Sequence, residues 1–340
     1  MAARSFGLIA TSVFAAFVAC TANAQSPAEF YRGKTIDLEI GYSVGGGYDL
    51  YARLIARHLG HHIPGDPTLA PKNMAGAGSL LLANWLYGAA PTDGTAIGAM
   101  SRGAAFDPLL GEISAQFDAS KFNWLGSAND EVSVCVALTS SGITKFEDLL
   151  TKPLTIGATG IGDDTYQFPV VMNALLGTKL KIINGFAGGN DVTLALERGD
   201  VQGRCGWSWS SLMTTRADWV TSKKVAVLVQ MSLFKHSELG EVPLIMDLAK
   251  TDEQRQIFKL IFARQVMGRP YAAPPHVPAD RLVALRQAFA ETMKDKDFLD
   301  EAQRGKFEIN PVSGERLQTL VAEIYQTPPD VAKKAAALLR

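Results

Sequence analysis

The chain reads as an α/β protein built in two halves, and three observations carry that reading. Its 340 residues exceed the ~100 to 200 of one ordinary domain. Strand patterns alternate with helical ones along its length. Glycine-rich turns stand where strands hand over to helices: of 31 glycines, 12 lie in four such turns, at 41–49, 73–79, 155–165 and 181–191. Total glycine is near the ~7% of an average chain, so the signal is position. With 47% hydrophobic residues, each half is large enough to bury a core without staples. Lys+Arg number 33 against 34 Asp+Glu, a net charge of -1, and no block of five or more like charges interrupts the balance. That excludes nucleic acid as a partner, because a phosphate backbone demands a basic footprint.

In chain order, Arg4 is followed by an uncharged apolar run at 5–19 and then by Ala22-Asn23-Ala24 before Gln25. This pattern predicts a signal peptide cleaved after Ala24, since the run is shorter than the ~20 residues of a bilayer span. The mature chain is then periplasmic and has no transmembrane segment. A second reading makes Cys20 a lipid-modified residue. Cleavage leaves Cys135 and Cys205, which in an oxidising compartment either form a disulfide or stay as two buried thiols.

Ile36, Leu38 and Ile40 alternate with Asp37 and Glu39, the period of a strand. Past the first glycine turn, Leu50, Tyr51, Leu54 and Ile55 share a helical face. Arg57 and His58 suit the last turn, and Gly60 reads as the stop. The second turn precedes a helix at 80–87, the third a helix through 176, and the fourth a helix through Arg198 with Gly199 at its end. The β-rich segments 132–138 and 225–230 read as two crossings between domains. They assign 131–231 to a middle domain and 25–130 with 232–340 to the other. The tail predicts helices at 279–292, 297–305, 313–325 and from 330 onward, covering the first sheet.

A glycine turn ahead of a helix lets backbone N–H groups approach a ligand, and the helix dipole favours an anion there. Nucleotide fingerprints are absent. Gly45-Gly46-Gly47 is followed by Tyr48-Asp49 instead of Lys-Ser/Thr, and Leu81 and Thr165 stand where a G-x-G-x-x-G motif needs its last glycine. A carboxylate fits better than a phosphate. Arg102, past a strand at 95–100, is the cation placed near such a cleft, its alternative being a surface salt bridge. Tyr42, Trp207 and Trp209 are either stacking surfaces or core. Ser208 sits in G-W-S-W-S, which lacks the final glycine of a nucleophile elbow. Asp163-Asp164 is an N-cap pair, a cation contact or paired carboxylates. His58, His61 and His62 form either a helix terminus or a metal site. No cofactor and no metal are expected.

Several motifs together resemble one family. They are F-Y-R-G-K-T-I at 30–36, G-G-G-Y-D at 45–49 with Ala52-Arg53-Leu54, N-M-A-G-A-G at 73–78, P-T-D-G-T at 91–95 and Pro278-Ala279-Asp280. The chain resembles the Bug family of periplasmic solute receptors, the binding subunits of tripartite tricarboxylate transporters, from about residue 30 to the C-terminus. The resemblance implies a type II periplasmic binding fold, two α/β domains joined by two crossing strands and closing on a small organic acid. It implies a ligand carboxylate held at Val44, Gly45, Gly46, Gly47, Tyr48 and Asp49, with Gly76, Ala77, Gly78 and Ser79 beside it. From the other domain it implies Thr159, Gly160, Gly162, Asp163, Asp164 and Thr165, then Phe186, Gly188, Gly189, Asn190 and Asp191, then Trp207 and Ser208. The expected protein is a monomeric receptor without catalysis that serves a membrane permease. The alternatives are an exported hydrolase or lyase using Ser208 or Asp163, and a ligand sensor for a membrane kinase. Two departures bear on the ligand: Tyr48 replaces a small hydroxyl residue, and Asp163-Asp164-Thr165 replaces a Ser- and His-containing loop. They favour a monocarboxylate over a dicarboxylate.

Overall fold

A computed structural model of the protein describes residues 25–339, so the leader at 1–24, with Cys20, lies outside the described residues. The first half of the chain runs α1 (Pro27–Tyr31), β1 (Thr35–Ile40), α2 (Gly47–His62), β2 (Thr68–Asn73), α3 (Leu80–Gly88), β3 (Ala96–Ala99) and β4 (Asn123–Ser127). There follow β5 (Ser133–Leu138), α4 (Asp148–Thr151), β6 (Leu154–Gly157), α5 (Asp164–Leu176), β7 (Leu180–Ile183), α6 (Gly189–Arg198), β8 (Gly203–Ser208), α7 (Trp209–Thr221) and β9 (Val225–Met231). The chain closes with α8 (Asp252–Phe262), β10 (Pro270–Ala273), α9 (Ala279–Thr292), α10 (Lys296–Arg304), β11 (Val312–Ser313), α11 (Gly314–Ile324) and α12 (Pro329–Leu338).

Two sheets result. The first has the order β11-β4-β10-β3-β1-β2 and the second β7-β6-β8-β5-β9. β1 is parallel to β2 and β3, and β6 is parallel to β7 and β8; β10, β4, β5 and β9 bring the antiparallel pairs. The period-two pattern of β1 has its physical cause here, because Ile36, Leu38 and Ile40 are fully buried. The two β-rich segments assigned to the crossings are β5 and β9, which pair with each other from Ser133–Met231 to Leu138–Val225.

Three corrections follow. Gly60 does not end α2, which continues to His62. A Cβ at Gly60 would overlap the Pro67 carbonyl oxygen, so this glycine permits the chain to pass close by. Helices α7 and α8 were not anticipated. The last helix does not cover the first sheet, for α12 packs on α8 and α5, reaching the side of the second sheet. His58, His61 and His62 each take a separate carboxylate, Glu301 at 2.7 Å, Asp66 at 3.1 Å and Asp295 at 3.1 Å. These contacts pin the end of α2 to its surroundings.

Cys135 on β5 and Cys205 on β8 are joined by a disulfide, 70 residues apart in sequence. A loop of that length loses enough unfolded-state entropy for the bond to stabilise the protein by about 4 kcal/mol. Reduction is therefore expected to lower the guanidinium unfolding midpoint. An unchanged midpoint would show that the bridge contributes little.

Candidate binding cleft

In open α/β sheets ligands bind beyond the carboxyl ends of the strands. Here β1, β3, β6 and β8 lead to loops that meet in one cleft. α2 begins behind Gly46, α6 behind Gly188 and α7 behind Ser208, and none of the three has a side-chain cap. A Cβ built on Gly46 would lie 3.6 Å from the backbone nitrogens of both Gly189 and Asn190. The uncapped ends of α2 and α6 thus face one another, and their first-turn N–H groups and dipoles make the space between them favourable for an anion.

Two adjoining cavities of about 30 and 10 Å³ occupy this space, sharing Gly46, Gly47, Gly189, Arg204, Trp207 and Ser211 as walls. Since one water needs ~10 to 15 Å³, the two halves are closed upon each other. Tyr42 and Tyr48 stack with centroids 4.4 Å apart and 17° between planes. The Tyr48 hydroxyl accepts from the Arg102 backbone N–H at 3.1 Å, and Tyr42 donates to Asp163 Oδ2 at 3.1 Å.

Arg102, Arg204 and Arg269 line the larger cavity, Arg216, paired with Glu197 at 3.1 Å, lines the smaller beside Arg204, and Arg264 stands behind Arg102. Arg102 is 2% exposed; its Nε pairs with Asp164 at 2.7 Å, its Nη1 donates to Gln265 at 2.8 Å, and its Nη2 donates to Ser208 Oγ at 2.5 Å. Arg264 pairs with the same Asp164 at 3.3 Å. Arg269 pairs with Glu131 at 3.4 Å and lies over the rings of Tyr48 and Tyr51. Arg204 differs. It is 7% exposed, lies 4.4 Å over the Trp207 ring and donates to the Gly189 carbonyl at 3.0 Å, while its Nε, like those of Arg102, Arg264 and Arg269, has no hydrogen-bond partner. Among the described residues it forms no ion pair. Burial pulls its guanidinium down to about 9, which leaves it charged at neutral pH. A buried charge without a counter-ion is costly, and an anion in the cavity would supply the missing partner.

No protein-family model and no curated protein matches the chain in sequence. Solved structures do match in shape. The periplasmic binding protein BugD covers 90% of this chain and 98% of its own at a TM-score of 0.72 and 19% identity. MatC from Rhodopseudomonas palustris with bound malate covers 88% and 99% at 0.68 and 17% identity. An R. palustris protein solved with adipate covers 89% and 97% at 0.69 and 17% identity. The chain has a periplasmic binding protein fold.

Within this fold the predicted residues fall into three groups. Tyr42, Gly46, Gly47, Tyr48, Arg102, Thr159, Asp163, Thr165, Gly189, Trp207 and Ser208 line the larger cavity, while Gly45 and Asn190 line the smaller. A second group forms a contact between the two halves. A Cβ on Gly160 would overlap the Ala77 carbonyl carbon and the Gly78 nitrogen, and one on Gly78 would lie 3.0 Å from Asp163 Cβ. Ala77 and Gly78 therefore meet the 159–163 loop directly, because backbone packs on backbone there, while Gly76 lies against Leu81 and the Ser79 hydroxyl accepts from the Ser101 N–H at 3.0 Å. Gly162 faces the Asp107 carboxylate, and a Cβ on Gly188 would overlap Ser43 Oγ. Asp191 accepts from Ser43 at 2.5 Å across the same seam.

The third group is structural. Val44 is 61% exposed and turns away. Asp49 accepts from the Gly45 N–H at 2.9 Å, Arg53 at 2.9 Å and Asn73 at 2.8 Å. Despite its burial these bonds hold the carboxyl below the usual range. Phe186 packs by Gly157, and Asp164 is clasped by arginines. Asp163 caps α5 by accepting from the Asp164 N–H at 2.6 Å, while burial and its neighbour Asp164 push its own carboxyl up. Trp209 bonds Glu238 and lies outside the cavity. Arg204, Arg269 and Ser211 line the cavity and were not anticipated. The signal for Arg204 was available: a lone cation within an otherwise apolar strand, G-R-C-G-W, invites the question of what neutralises it.

Proposed function

We propose that the protein is a periplasmic solute receptor of the Bug type. It takes one small organic carboxylate into a cleft between two domains, 25–130 with 232–340 and 131–231, and offers the closed form to the membrane subunits of a tripartite tricarboxylate-type permease. It acts as a monomer and performs no catalysis. The observation that carries this reading is the buried Arg204 guanidinium opposite the first glycine turn, which has no acidic partner among the described residues and stands among helix N-termini that lack side-chain caps. An anion there gains one charge-assisted contact and several backbone donors. The leader at 1–24 supports export, and no helix among the described residues is long and apolar enough to cross a membrane. The malate and adipate found in two neighbours support an organic acid as the cargo.

The hydrolase reading has little support. The Ser208 hydroxyl is engaged by Arg102 at 2.5 Å, and none of the described histidines bonds to it, so a nucleophile would lack its base.

A thermal-shift panel of monocarboxylates and dicarboxylates tests the reading, because a ligand bound to the folded state raises the melting temperature by mass action. At least one acid is expected to stabilise the protein. Gly46→Val is expected to eliminate that shift while leaving the fold intact: Gly46 has φ −83°, which valine accepts, and its side chain would fill the space before the Gly189 and Asn190 nitrogens. Normal binding by this variant would move the site elsewhere.

A further inference from the structure

We infer that Asp164 is a built-in second acid, neutralising Arg102, the guanidinium that would otherwise meet the far carboxylate of a dicarboxylic ligand, with Arg264 behind it, so that the cleft selects acids with a single carboxylate. This rests on the receptor reading above and adds the class of its cargo.

The argument is one of charge placement. Asp164 belongs to the first turn of α5, on the side of the second sheet. Arg102 follows β3 and Arg264 precedes β10, both on the side of the first sheet. The carboxylate bridges them, Oδ2 to Arg102 Nε at 2.7 Å and Oδ1 to Arg264 Nη1 at 3.3 Å. All three side chains are buried, at 3% exposure or less. The Arg264 guanidinium is held over the rings of Phe106 at 4.9 Å and Phe168 at 5.7 Å, which fixes it facing Asp164. Arg102 lines the larger cavity, yet both of its Nη atoms donate to protein groups and its charge is paired with Asp164. A second ligand carboxylate needs donors that the protein has not already committed to its own groups. Here the cation available to the far end is already neutralised by the protein.

The rest of the cavity agrees. Arg269 is matched by Glu131 at 3.4 Å, leaving Arg204 as the cation without an acidic partner among the described residues. Asp163 lines the opposite wall and accepts from Tyr42 and Thr159. A second ligand carboxylate would find no unpaired guanidinium and would approach Asp163. Juxtaposed like charges in a desolvated site discriminate strongly. A methyl or a ring at that end would instead meet the stacked Tyr42 and Tyr48.

The test uses acids matched in length that differ at one end, butyrate against succinate and hexanoate against adipate, titrated calorimetrically into the full mature chain. The expected result is a preference for the monocarboxylate of each pair by roughly 100-fold. In Asp164→Asn, which keeps the shape and removes the charge, Arg102 and Arg264 become free. The preference is then expected to fall by at least about tenfold or to reverse. Should that variant fail to fold, the wild-type ratios still decide. Tighter binding of succinate or adipate by the wild type overturns the inference and leaves the receptor reading standing. Binding of no acid in either pair overturns both.

Discussion

Arg204→Met is expected to raise the melting temperature of the ligand-free protein and to abolish carboxylate binding at the same time. The two effects have one cause. Arg204 is a buried cation with an orphaned Nε and no acidic partner among the described residues, so in the absence of an anion it destabilises the native state. Buried ionic groups replaced by apolar ones of similar volume commonly gain about 1 to 4 kcal/mol. For a chain of this size that corresponds to roughly 1.5 °C per kcal/mol. Methionine retains much of the aliphatic stem over Trp207 and gives up the bond to the Gly189 carbonyl. The affinity loss is expected to reach at least ~100-fold, because the ligand carboxylate then enters a desolvated site without its counter-charge. Scanning calorimetry and titration calorimetry on the same preparation read both numbers. A lowered melting temperature would mean that the Gly189 bond and the Trp207 stack outweigh desolvation, making the guanidinium a structural group.

Gly160→Ala is expected to weaken ligand binding without touching the ligand. Gly160 lies outside the left-handed region of backbone space, so alanine suits its own loop. Its Cβ, however, would intrude on the Ala77 carbonyl carbon and the Gly78 nitrogen of the opposing lip. Backbone cannot swing aside as a side chain does, and the lips are held apart. Binding that depends on closure then falls by roughly 10- to 100-fold, in proportion to the rarity of the closed state. Small-angle scattering of the variant with saturating ligand is expected to show a larger radius of gyration than the wild type, with ligand-free stability unchanged. If the variant closes and binds as the wild type does, the 76–79 and 159–163 contact is incidental to function.

Much of this architecture was legible in the sequence, because strand alternation and glycine turns are local signals. The pattern of Ile36, Leu38 and Ile40 needed only the pleat, and the Asp163 cap needed only the start of α5. What escaped were properties decided by partners far along the chain. Nothing near Gly160 reveals that Ala77 will lie against it. Gly60 resembles a helix stop until Pro67 is seen to pass over it. Arg102, Arg264 and Asp164 look like unrelated charges at 102, 264 and 164 until folding makes them one cluster, and Arg102, singled out for the ligand, is consumed there. Arg204 was overlooked for the opposite reason: its significance lies in a partner it does not have.

One apolar cluster draws side chains from both sheets and from the helices between them. It joins Leu82, Phe106 and Trp124 on the first side with Cys135, Leu154 and Phe168 on the second, and with Ile261 and Ala335 of α8 and α12. Two separate globules would melt in two steps, each with its own midpoint. A shared interior makes each half a condition for the other, so heat is expected to disassemble the protein as one cooperative unit. Occupancy of a cleft of a few tens of cubic ångströms is thereby expected to be broadcast to the unfolding of the entire chain, so that a bound acid would be read out in a single calorimetric peak.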